Sequence, residues 1–176
     1  PLLEINNITL LENTIYLLEK FGIEEIMINT HYLSDQINTF IDNKKFSSKI
    51  FLIKEHERIL DTGGGVLNAA KKFNSNPFFV FNPDTIWSQS HLDDFKYMEE
   101  QYFKNGYKGV LLVVDKKKSF DNNMNGDFNL KENIIHVFGV DEILVADAAI
   151  YPHDSGLSVE KNAFIPTIRD ADIIVD

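Results

Sequence analysis

Apolar residues recur at helical spacing across residues 8–21 (ITLLENTIYLLEKF), at Ile8, Leu11, Ile15 and Leu18. The spacing predicts an amphipathic helix capped by Thr9 or Asn7 and broken at Phe21-Gly22-Ile23. Residues 25–29 (EIMIN) then read as a short buried strand. Residues 32–41 predict a second helix, with Leu33, Ile37, Phe40 and Ile41 on one face, and 49–54 (KIFLIK) the next strand. A helix-like run from Val66 to Phe73, a strand at 77–82, a helix at 91–103 and a strand at 109–115 (GVLLVVD) complete the series. Helices and strands alternate, and the strands are mostly continuous apolar runs. That pattern belongs to an α/β fold whose mostly parallel sheet is covered by helices on both faces.

Beyond Lys116-Lys117-Lys118 the pattern loosens. Residues 127–130 and 134–138 predict a hairpin around Lys131-Glu132-Asn133. From Gly139 the chain reads as irregular until the apolar run Ala171–Val175. No repeat or low-complexity linker interrupts residues 1–176, so one domain is expected.

Composition narrows the function. The 176 residues are 44% apolar and include 14 Phe, enough for a sizeable core, while the net charge is −10. An acidic surface disfavours non-specific binding to nucleic acid or to anionic membrane. With no cysteine, disulfides and thiolate metal sites are excluded, and a reducing, cytoplasmic setting is expected. No apolar run reaches membrane-spanning length and no signal-peptide pattern is present. The sequence opens on Pro1 and is read as a fragment.

Two stretches carry chemistry. The first is Leu60-Asp61-Thr62-Gly63-Gly64-Gly65-Val66. Three glycines allow close approach of backbone to a ligand, and the following helix start offers free N–H groups. A tight strand-to-helix turn is the equal alternative. The loop lacks the lysine of a P-loop and the G-x-G-x-x-G spacing of a dinucleotide site. The second is Phe78-Phe79-Val80-Phe81-Asn82-Pro83-Asp84, a short apolar strand ending in a carboxylate. At the carboxyl end of a strand Asp84 could hold a hard divalent cation, or act as a turn residue. His31, His56, His91, His136 and His153 read mainly as surface or packing residues, and no Ser-His-Asp arrangement or zinc motif is present. Lys116–Lys118 reads as a solvated loop.

Taken in order, these motifs resemble the sugar-1-phosphate nucleotidyltransferases. Pro1-Leu2-Leu3-Glu4-Ile5-Asn6 is similar to the end of the family's P-K-P-L segment. Residues 25–37 are similar to its strand and following helix. Asp61-Thr62-Gly63-Gly64-Gly65 matches its T-G-G-G loop, Asn82-Pro83-Asp84 falls at its metal aspartate, and Asn125-Gly126-Asp127-Phe128 resembles a later G-D-F motif. The match covers roughly residues 1–130. It looks closest to the N-acetylmuramate-1-phosphate uridylyltransferase branch, with mannose-1-phosphate guanylyltransferase-like proteins as near neighbours.

The resemblance implies a Rossmann-like three-layer α/β/α sandwich. It implies that Glu55, Thr62, Gly63, Gly64 and Asn82 serve the nucleotide, that Gly126 and Asp127 lie by the sugar, and that Asp84 is the catalytic Mg²⁺ ligand. The implied substrates are a nucleoside triphosphate, UTP favoured, and a sugar 1-phosphate, with an N-acetylated amino sugar favoured. Nucleic acid and membrane are not implied partners, and a homo-oligomer is compatible. The family's G-x-G-x-R-M-x-P phosphate loop and first strand are expected before Pro1. That strand is central in the family, so the two strands beside it are expected to show open inner edges. The second metal carboxylate has no motif-level counterpart, and Asp147 and Asp154 are the acidic residues offered in its place. Two other readings stand beside the enzyme. One is an inactive nucleotide-sugar-binding or regulatory module of the same fold. The other is a structural partner that completes its sheet with another chain.

Overall fold

The computed structural model describes residues 1–31, 33–55, 65, 66, 68, 71–73, 77–105, 109–115, 117, 129–131, 134–136, 143–151 and 162–166, with backbone alone at 114, 115 and from 129 onward. The chain opens with a tight hairpin, β1 (Glu4–Ile5) against β2 (Ile8–Thr9). Asn6 and Asn7 turn it at φ 53° and 65°. A two-residue turn with both φ positive matches the twist of paired strands, and Asn tolerates it well. The predicted first helix therefore starts two residues late, as α1 (Leu10–Phe21). Thr9 caps it: the Glu12 N–H donates to Thr9 Oγ1 at 3.1 Å. Gly22 ends it at φ 95°. The Gly22 N–H reaches Glu19 O and the Ile23 N–H reaches Leu18 O, a closure that requires a left-handed residue.

The next elements follow the predicted order: β3 (Glu25–Thr30), α2 (Ser34–Asp42), β4 (Lys49–Lys54), β5 (Phe78–Phe81), α3 (His91–Asn105) and β6 (Val110–Asp115). Between β4 and β5, residues 65, 66, 68, 71 and 72 are helical. The predicted hairpin forms from β7 (Asn129–Lys131) and β8 (Ile134–His136).

The tail corrects the sequence reading. Instead of an irregular segment it supplies two strands, β9 (Ile143–Tyr151) and β10 (Asn162–Pro166). Both enter a six-stranded sheet of order β4-β3-β10-β5-β9-β6. β10 runs parallel to both neighbours, with Asn162 opposite Glu25 and Pro166 opposite Asn29 on one side, and Ala163 opposite Phe79 on the other. β9 is antiparallel to β5 and β6. The inner edges of β3 and β5, expected to be open, are thus filled from within the chain. The Ala171–Val175 run lies outside the described residues.

Alternation along β3 and β5 divides the core between the two sheet faces. Ile26, Ile28, Phe79 and Phe81 pack with Leu11, Ile15 and Leu18 of α1 and with Phe95 and Met98 of α3. Met27, Phe78 and Val80 pack on the other face with Val66 and Phe73. This is the expected layering of helices on both sides of a sheet. Among the described residues no helix is long and apolar enough to cross a membrane.

Candidate functional site

β4, β3, β10 and β5 are parallel neighbours, so their carboxyl ends lie on one edge of the sheet. From β3 the chain moves outward to β4, while from β5 it moves the opposite way towards β6. The order reverses at the central strand, and such a switch point leaves a crevice where open α/β sheets bind ligands. Glu55 follows β4 and Asn82 follows β5. Their strands are three spacings apart, about 14 Å.

On the β4 side the polar groups are tied together. Glu55 is buried, at 6% exposure. Its carboxylate Oε1 accepts from Asn29 Nδ2 at 2.7 Å, and its N–H donates to Thr30 O at 2.9 Å. His31 Nδ1 lies 3.1 Å from the Glu55 carbonyl oxygen. Asn29 is 1% exposed, and a charge-assisted bond at that depth holds a buried carboxylate that would otherwise be costly. Parallel register brings the pair together, with Asn29 opposite Ile53 and Thr30 opposite Lys54. Two residues beyond His31, Leu33 adopts φ 54° at the start of α2, a conformation disfavoured for a leucine.

On the β5 side, Asp84 stands in the turn after the strand and is exposed. No ion pair or hydrogen bond engages its carboxylate among the described residues. The turn itself is pinned. Trp87, buried at 3%, donates Nε1–H to Asn82 O at 3.1 Å. Its N–H reaches Thr85 O at 3.1 Å, and its carbonyl accepts from Asn13 Nδ2 at 2.7 Å. Edge-to-face packing on Phe81 and Phe95, with centroids 5.3 and 5.4 Å away, fixes the indole. A buried aromatic clamp thus presents an open carboxylate at the strand end.

Of the residues singled out in the sequence, the structure places Glu55, Asn82 and Asp84 along this one edge. Thr62, Gly63, Gly64, Gly126, Asp127 and Asp154 lie outside the described residues, and Asp147 is described only as backbone within β9. The Asn29–Glu55 and His31–Glu55 contacts were missed. Their only sequence signal is that Asn29-Thr30-His31 stands at the end of one strand and Glu55 just after the next. Among the described residues no cluster of three or more His, Asp or Glu forms a metal cage. One open carboxylate still suits Mg²⁺, which commonly takes one or two carboxylates and completes its shell with water and substrate phosphates.

No protein-family model matches the chain. Over 89 residues, 49% of the chain, it is 28% identical to N-acetylmuramate alpha-1-phosphate uridylyltransferase of Caulobacter vibrioides, covering 37% of that protein. Over 122 residues, 69% of the chain, it is 28% identical to D-glycero-alpha-D-manno-heptose 1-phosphate guanylyltransferase of Aneurinibacillus thermoaerophilus, covering 50% of it. The chain thus spans half or less of the length of these curated relatives. The solved structure of HddC from Yersinia pseudotuberculosis complexed with GMP-PN superposes with a TM-score of 0.67 at 23% identity, over 93% of this chain and 72% of that one. A second HddC structure gives 0.57, over 89% and 76%. These superpositions establish the shared fold. In motif order, sequence and fold together, the chain is similar to sugar-1-phosphate nucleotidyltransferases.

Proposed function

We propose that this chain forms the core of an enzyme that joins a nucleoside monophosphate to a sugar 1-phosphate and releases pyrophosphate. The observation that carries this reading is the sheet's carboxyl edge. A buried Glu55 network stands on one side of the switch point, and an open Asp84 on a pinned turn stands on the other. Both curated relatives, named as a uridylyltransferase and a guanylyltransferase, support the reaction class.

In this reading an oxygen of the sugar 1-phosphate attacks the α-phosphorus of the nucleoside triphosphate. The bond from that phosphorus to the bridging oxygen breaks, and pyrophosphate leaves. No protein nucleophile is required. Glu55, Thr62, Gly63, Gly64 and Asn82 position the nucleotide, while Gly126 and Asp127 receive the sugar. Asp84 would hold Mg²⁺, which when bound neutralises phosphate charge and aligns the reacting oxygens. The pinned turn keeps Asp84 in place without reorganisation during reaction, where positioning contributes most. UTP with an N-acetylated amino-sugar 1-phosphate is the pair favoured by the T-G-G-G and G-D-F motifs. GTP is the alternative that the guanylyltransferase relative supports.

The test is a screen of UTP, GTP, CTP and dTTP against a panel of sugar 1-phosphates with Mg²⁺, using the full-length protein. Pyrophosphate release that requires both substrates is expected. Its absence with every pair would reject the proposal.

A further inference from the structure

Two prolines end the central ladder of the sheet. Successive residues of a strand point their N–H and C=O groups to opposite sides. The Lys49 N–H donates to Glu24 O at 2.8 Å and the Glu55 N–H to Thr30 O at 2.9 Å, so the even residues of β3 face β4 and the odd ones face β10. Met27 stands opposite Phe164. In a parallel pair a residue bonds to the two neighbours of its partner, so Ala163 and Ile165 face β3 while Phe164 and Pro166 face β5. Phe164 stands opposite Val80, and the same register puts Pro166 beside Asn82. There an N–H at 166 would donate to Phe81 O, and an N–H at 83 to Pro166 O. Both positions are proline, which has no N–H. The β10–β5 pairing accordingly extends no further than Phe164 and Val80.

Two carbonyl oxygens are left at the β5–β10 gap, on strands about 4.8 Å apart. Phe81 is 1% exposed, and a buried carbonyl without a donor is costly. Proline is ordinarily kept to sheet edges, yet here one ends β10 and another follows β5 at the same level. The gap lies at the switch point, directly before Asn82 and the turn that carries Asp84. On the reading that this crevice takes a nucleotide and a sugar 1-phosphate, we infer that the opened ladder end is a subsite for ring hydroxyls. Phe81 O and Pro166 O can only accept. They repel phosphate oxygens, whereas the vicinal hydroxyls of a ribose or of a sugar ring offer donors to both. The prolines keep these oxygens for substrate, because no backbone donor competes for them.

Pro166→Ala restores the N–H that would fill Phe81 O, and Pro83→Ala the one that would fill Pro166 O. In the full-length protein, hydrogen exchange is expected to show the restored amide protected. The melt should stay near native, since the added backbone bond offsets the greater freedom of the unfolded chain. KM for one substrate should rise about three- to tenfold with kcat nearly unchanged, a split that a purely structural role would not give. A rise for the nucleoside triphosphate puts the ribose in the subsite, and a rise for the sugar 1-phosphate puts the sugar there. The deoxy analogue of that substrate should show the same KM in native and variant protein. Either variant decides if the other fails to fold. A restored amide that exchanges like free chain, or both KM values unchanged, would overturn the subsite while leaving the proposed reaction intact. No turnover by the native protein with any substrate pair would reject that reaction, and the subsite with it.

Discussion

Asn29 Nδ2 donates to Glu55 Oε1 at 2.7 Å, joining the carboxyl ends of two adjacent parallel strands out of reach of solvent. Asn29→Leu would strip a buried carboxylate of this donor. The expected cost is about 2 kcal/mol, which lowers Tm by roughly 4–8 °C in a domain of this size. Glu55→Gln keeps an acceptor for Asn29 and should cost less. Thermal melts followed by circular dichroism decide, and a melt unchanged in Asn29→Leu would show that the bond is not structural.

Trp87 and Asn82 make the matching tie on the other side of the crevice. Trp87→Phe retains aromatic packing but removes the Nε1–H. A stability loss of about 1 kcal/mol is expected. Because the turn carrying Asp84 is loosened, turnover should fall more than the melt alone accounts for. Denaturant titration and steady-state kinetics on the same variant separate the two effects.

Alkaline stability has a local origin. Lys44 Nζ pairs with the buried Glu12 carboxylate at 2.7 Å, and Tyr16 OH donates to the same oxygen at 3.1 Å. The bond to Glu12 raises the Lys44 pKa, and burial, followed by the Glu12 bond, raises that of Tyr16. Both groups hold their protons more tightly when folded. The stabilisation they confer is therefore complete below their unfolded values, near pH 10, and is lost as pH rises through the folded values. Stability should fall in the alkaline range above about pH 10. Lys44→Gln should remove part of that dependence in urea titrations at pH 8 to 11.

The central strand comes from the far end of the chain, and that placement can be checked directly. With no native cysteine, Glu25→Cys with Asn162→Cys places thiols on register partners of β3 and β10. Oxidation should give an intrachain disulfide in the monomer. Lys49→Cys with Asn162→Cys, one strand further away, should not. In the unaltered protein, the amides of 162–165 should exchange as slowly as those of 25–30. Exchange at the rate of free chain, or crosslinks only between molecules, would contradict the strand order.

The stretch from α1 to β6 was legible because its signals are local. Leu11, Ile15 and Leu18 repeat at helical spacing, Gly22 supplies the helix stop, and VLLVVD can hardly be anything but a buried strand. β9 and β10 were not legible. The alanines of ILVADAAIY have weak strand preference, and that segment is a strand because β5 and β6 flank it. β10 is five residues ending in proline, and only the slot between β3 and β5 makes it central. At the site, Asp84 is singled out because it follows a predicted strand, and Glu55 through the family resemblance alone. The Asn29–Glu55 bond joins residues 26 apart, and its geometry depends on parallel register that periodicity does not report.

The central claim is that Asp84 is the metal ligand of a nucleotidyl transfer. Asp84 is exposed, so Asp84→Asn should leave the melt unchanged. The decisive measurement is Mg²⁺-dependent pyrophosphate release by full-length native and Asp84→Asn protein, with the best nucleotide and sugar 1-phosphate pair. A loss of about a thousandfold is predicted. Turnover within a few-fold of native would contradict the account.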